Sequence, residues 1–156
     1  MKIKISGYPN WRFYHHWLHD WFGYTPTQKT SIRIDKFDTW SMDHTLAPII
    51  LPMLVQLKAT KHGAPYVYPE DVPSNLRPTK KELTAYTKNG ETDSKFFDRW
   101  DWVLDEMIYA FDCKANKDEV YMRFDIKTER DAMEKEQERI SNGFKLFGKY
   151  YENLWD

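Results

Sequence analysis

The chain has a single cysteine among 156 residues, Cys113, so no disulfide can form within one copy. That suits a reducing compartment and leaves structural work to packing. Cys113 sits between Asp112 and Lys114 with no activating surroundings, and reads as an inert thiol. Only six glycines occur, and none forms a glycine-rich phosphate loop or a Gly-x-Ser-x-Gly elbow. Net charge is also nearly absent, at −1, which removes the basic field that duplex DNA requires. No long apolar run exists either. The longest, 46–55, carries two prolines and is too short to span a bilayer, so no membrane role is expected. The charged and apolar alternation of Met1 to Ile5 lacks the apolar core of a signal peptide. A cytoplasmic protein is expected.

What is abundant is aromatic surface. Seven Trp, ten Tyr and nine Phe make up 17% of the chain. That exceeds the need of one core of this size, so some rings are expected at the surface for stacking or partner contact. The length suits a single domain over 1–156.

Hydrophobic spacing predicts an α+β fold that is mainly α. Ile3 and Ile5 alternate with lysines, and Ile32 and Ile34 alternate with Ser31, Arg33 and Asp35, giving strands over 3–6 and 31–37. Trp11, Tyr14, Leu18 and Trp21 between them have helical spacing, and Gly23 stops the run. A second helix is predicted over 41–62, kinked by Pro48 and Pro52 or restarted near Pro48. The proline-rich segment 64–92 reads as a loop. A third helix begins near Ser94, a short strand is expected over 120–124, and a fourth, long helix runs from Thr128 to the C-terminus. Met133, Ile140, Phe147 and Leu154 recur every seven residues on it, with Gln137, Phe144 and Tyr151 between them. Such a seam either packs on its own domain or pairs with a second subunit. The expected fold is thus a small N-terminal sheet of two or three strands packed by about four helices. Its core is expected to include Ile5, Leu18, Ile34, Leu46, Ile50, Leu54, Trp100, Leu104, Ile108, Phe144 and Phe147.

One strand-to-helix junction gathers the polar groups that suit a ligand. Arg33, Lys36, Trp40, Asp43 and His44 fall within twelve residues, with Asp35 and Asp38 among them. Free amides at a helix start favour a small anion. A planar base can stack on Trp40 or Trp11, with Arg33, Lys36 or Arg12 neutralising phosphate and Asp43 and His44 reading sugar or base edges. The competing reading packs Trp40 into the corner and pairs Arg33 with a neighbouring Asp. His15 and His19 share one helical face, as do His16 and Asp20, and such pairs can bind zinc or nickel. No glutamate lies between them as in a zinc protease, and a solvated cluster is the default. No cofactor and no catalytic residues are indicated.

Three blocks carry a family resemblance. They are the Asp35-x-x-Asp38-Thr39-Trp40-Ser41-Met42-Asp43-His44-Thr45-Leu46 core of 34–57, Arg99-Trp100-Asp101-Trp102-Val103-Leu104-Asp105-Glu106-Met107, and Asn142-Gly143-Phe144-Lys145-Leu146-Phe147-Gly148-Lys149-Tyr150-Tyr151. Together they resemble small uncharacterised accessory proteins of tailed bacteriophages. The resemblance implies action in the cytoplasm of an infected bacterial host and assigns no site residues. Three functions stay open. One is a non-enzymatic homo-oligomeric binder that sequesters a nucleotide-like defence signal. Another is a module that docks on a host or phage protein. The third is a metal-dependent hydrolase using the helix-one histidines.

Overall fold

The computed structural model describes residues 2–5, 13–23, 25, 27, 29–117, 119–125 and 127–155, without the side chains of Lys4, Ile5 and Phe13. Among the described residues the protein is mainly helical, with six α-helices and one two-stranded antiparallel sheet. Strand β1, Lys2–Ile5, pairs with β2, Thr30–Arg33, in the register Lys2↔Arg33 and Ile3↔Ile32. Helix α1, Phe13–Phe22, lies between them in sequence, and Gly23 at φ 65 ends it by donating to His19 O at 2.8 Å. Helix α2 is Met42–Thr60, α3 Lys80–Asn89, α4 Phe96–Asn116, α5 Val120–Arg123 and α6 Arg130–Lys149. The chain divides into two compact units, Met1–Thr45 and Leu46–Asp156.

In the C-terminal unit, α4 is the central element. Trp100, Val103, Leu104, Met107 and Ala110 are fully buried along it, at the three- and four-residue spacing of one helical face. Helix α6 packs on that face so closely that Gly143 has no room for a side chain. A Cβ there would lie 2.4 Å from Glu106 O and 2.6 Å from Ala110 Cβ. Part of the seven-residue seam is internal: Ile140 is buried, and Phe144 and Phe147 pack against Phe111 at 5.1 and 4.8 Å between ring centres, while Gln137 and Tyr151 are exposed. Leu54 and Ala47 bring α2 into the same core.

Five sequence expectations change. The 64–92 segment is not a plain loop: it holds a 3₁₀ turn at Pro69–Asp71 and the ten-residue α3. A capping box starts α3, with Glu82 accepting from Thr79 N at 2.7 Å and Thr79 Oγ1 accepting from Glu82 N at 3.3 Å. Gly90, at φ 71, closes the other end. The strand expected over 120–124 is the short helix α5, because Val120 alone is buried while Met122, its alternation partner, is 67% exposed. Helix α2 is one element through Pro48 and Pro52 and does not restart near Pro48. Both lie on its exposed side, where water can satisfy the carbonyls they free. The last helix stops at Lys149 and gives way to a 3₁₀ turn, Tyr151–Asn153. Of the expected core, Trp100, Leu104 and Leu54 are buried, and Ile50, Ile108, Phe144 and Phe147 flank them. Ile34 and Leu46 are exposed, at 62% and 38%, since β2 ends at Arg33 and α2 turns its other side inward. Leu18 is half-buried, and the Ile5 side chain lies outside the described residues.

Candidate functional site

The junction between β2 and α2 is built by its own acids. Asp38 Oδ2 accepts from Asp35 N at 2.7 Å, and Asp35 Oδ1 accepts from Phe37 N at 3.1 Å. The amides of Asp38 and Trp40 donate to Asp35 O and Phe37 O. The amides of Asp35, Phe37, Asp38 and Trp40 are thus bonded within the turn that precedes the helix. Trp40 does not pack into the corner but is 87% exposed, and Arg33 and Lys36 are exposed as well. Lys36 Nζ stands 5.0 Å over the Phe37 ring, and His44 Nε2 lies 3.9 Å from Asp43 Oδ2. The cations Arg33 and Lys36 share this stretch with the carboxylates of Asp35, Asp38 and Asp43. Trp11 and Arg12 lie outside the described residues. On α1, Tyr14 meets His15 edge-on at 4.3 Å, and His19 Nδ1 is 3.5 Å from Asp20 Oδ1. Among the described residues no group of three or more His, Cys, Asp or Glu could hold a metal ion, so His15 and His19 gain no third ligand there.

A polar cluster joins α4, α5 and α6. Tyr109 Oη donates to the Glu136 carboxylate at 2.6 Å, and Arg123 Nη1 donates to Glu136 Oε1 at 2.9 Å. Arg139 stacks 3.7 Å over the Tyr109 ring and binds both oxygens of the buried Glu106. The Glu136 hydrogen bond and burial push the Tyr109 hydroxyl up to about 12, so it stays a neutral donor across the physiological range. Cys113 is buried nearby with Lys117 Nζ at 3.5 Å, and the adjoining cavity is only about 70 Å³. These cations and acids are matched to one another, and the cluster reads as a clamp between helices.

The large concavity lies elsewhere. A groove of about 1050 Å³ runs between the outer side of α2 and the C-terminal end of the chain. Leu54 and Phe147 belong to its lining, as do Met53, Tyr151 and Trp155, which are 65%, 65% and 60% exposed. No charged residue lines it, and Gln56 and Thr60 are its polar side chains apart from the Tyr151 hydroxyl and the Trp155 ring nitrogen. Its walls are fixed in place from behind. Lys61 Nζ pairs with Asp101 Oδ1 at 2.6 Å, tying α2 to α4. Tyr150, buried beside the groove, donates to Asp71 Oδ2 at 2.6 Å and accepts from Tyr68 N at 3.0 Å. Burial, reinforced by that bond to Asp71, holds the Tyr150 hydroxyl well above the usual tyrosine range. Lys149 adds a 2.6 Å ion pair to the same Asp71. The tail therefore leaves α6 at a fixed angle, and Tyr151 meets Phe147 edge-on at 5.7 Å.

Sequence reasoning missed this groove, because its two walls are about a hundred residues apart in the chain. A signal was present: α2 is apolar nearly all round, with Asp43, His44 and Lys58 its only ionisable residues. A helix of that kind is covered on more than one side. No helix among the described residues is long and apolar enough to cross a membrane. No family model, curated protein or solved structure matches the chain.

Proposed function

We propose that this protein is a non-enzymatic interaction module that docks an apolar helix of another protein in the groove between α2 and the C-terminal tail. The observation that carries this is the groove itself: about 1050 Å³, lined without a charge, with Met53, Tyr151 and Trp155 standing exposed around it. Helix-in-groove recognition uses such a surface, since buried aromatic and aliphatic anchors supply most of the binding energy. An anionic nucleotide would find no counter-charge there. The resemblance to phage accessory proteins directs the search for a partner to an infected bacterial cell.

A photo-crosslinking amino acid at position 53 of the full chain tests this in such cells. Adducts with a foreign protein should form, and Trp155→Asp should abolish them. The same adducts from a crosslinker at the exposed Thr84 on α3 would mean that contact is nonspecific and would sink the reading.

A second reading keeps the nucleotide binder, because Trp40 is 87% exposed in one short stretch with exposed Arg33 and Lys36. Incubating the protein with nucleotides, denaturing it and recovering the ligand separates sequestration from turnover, since a binder returns its ligand intact. Binding unchanged by Trp40→Ala and Arg33→Ala would remove this reading.

A further inference from the structure

We infer that the resting occupant of the groove is helix α1 of a second copy of this chain, exchanged reciprocally in a two-fold dimer. This rests on the docking reading of the groove and adds a competitor that a foreign helix must displace.

The argument begins on α1. Trp17, Trp21 and Phe22 are 54%, 71% and 73% exposed, and Trp17 gathers the other two at 5.8 and 6.3 Å between ring centres. Trp17 and Trp21 are four residues apart and share one face with Tyr14, and Asp20, three residues from Trp17, borders that face. This is the pattern of an anchor helix that enters a groove. The rings are uncharged, and so is the groove lining. Neither surface would strand a charge in the other, which a mismatched pairing would.

The area also fits. Aromatic residues bury about 150–250 Å² each, so covering the exposed parts of these three removes roughly 300–500 Å² from one helix. The groove loses a similar area, and reciprocal exchange doubles the sum, to roughly 1,200–2,000 Å² in total. That is the size of a stable, specific interface. One such contact alone, at about half that size, would hold two copies more weakly. Each copy carries one helix and one groove, so a two-fold exchange closes the assembly and prevents fibres.

Light scattering after size exclusion of the full chain tests the inference. Wild type at micromolar concentration should show twice the monomer mass. Trp21→Asp and Met53→Asp should each halve it with unchanged circular dichroism, because both side chains are exposed. Mixing the two variants at high concentration should restore a weaker dimer, since the intact helix of one then meets the intact groove of the other through a single contact. A monomeric wild type overturns the exchange. So does failure to rescue on mixing, or a dimer broken by only one of the two substitutions, which would mean helix-to-helix or groove-to-groove pairing. A monomeric wild type that still gives the position-53 adducts in cells leaves the docking reading standing. A rescued dimer without those adducts supports the exchange and sinks foreign docking.

Discussion

Arg99 is 3% exposed, and its guanidinium is held by Asp93 through two hydrogen bonds, one of 3.1 Å, and by Leu76 O. A buried cation of this kind is tolerable only while its partner remains. Asp93→Ala should therefore destabilise the protein by about 3–5 kcal/mol in urea melts. The Arg99 bond holds the Asp93 carboxyl below the ordinary carboxylate range. Its contribution is present above the unfolded value of about 3.9 and is lost as pH falls through the lower folded value. Loss of acid sensitivity in Asp93→Ala is the expected signature, and an unaltered acid profile would count against it. Tyr109 works at the other end of the scale. Its hydroxyl is pushed up to about 12, so the stability it lends is complete below about 10 and disappears as pH rises through about 12. Tyr109→Phe should flatten that alkaline decline in thermal melts. A decline of wild-type steepness would show that another group causes it.

At the scale of elements, the close approach of α6 to α4 is the most exposed to test. Gly143→Ala adds a methyl where 2.4 Å separates the new atom from Glu106 O, which outweighs the helix propensity gained. A loss of about 1–3 kcal/mol is expected in urea melts, and a gain would mean that the helices slide apart freely. Phe147→Asp should unfold or strongly destabilise the C-terminal unit rather than only separate subunits, because its ring packs on Phe111 at 4.8 Å. A folded but monomeric Phe147→Asp protein would instead return the seam to an intersubunit role.

The same elements show how much was readable in the sequence. The alternation of Ile3 and Ile32 with polar neighbours carried the two strands, and the apolar spacing of α4 carried a helix. Helix α3 was obscured by its polar composition and by the surrounding prolines, although Thr79 and Glu82 already spelled its capping box. Val120, Met122 and Phe124 misled because three alternating positions are also compatible with a single helical turn. At the junction the sequence located Trp40, Arg33 and Lys36, but not that Asp35 and Asp38 bond the turn amides themselves. The groove needed a long-range pairing that no local pattern encodes.

For the whole molecule the decisive contrast is between its units. The C-terminal unit buries Trp100, Leu104 and Met107 completely, whereas the N-terminal unit leaves Trp21, Phe22, Ile34 and Trp40 more than 60% exposed. Among its described residues this unit, with its two-stranded sheet, has little apolar burial with which to offset its chain entropy. Opening of α1 should accordingly need much less free energy than opening of α4. If a second copy covers α1, mass action ties its stability to protein concentration, while α4 in its own core is indifferent to it. Hydrogen exchange read by mass spectrometry should then show weak protection over 13–22 that rises with concentration, against strong and constant protection over 96–116. Trp21→Asp should erase the concentration dependence and leave α4 unchanged. Constant protection of α1 across concentrations would mean that its rings are not covered by another copy, and a foreign protein would then be the partner to seek for them.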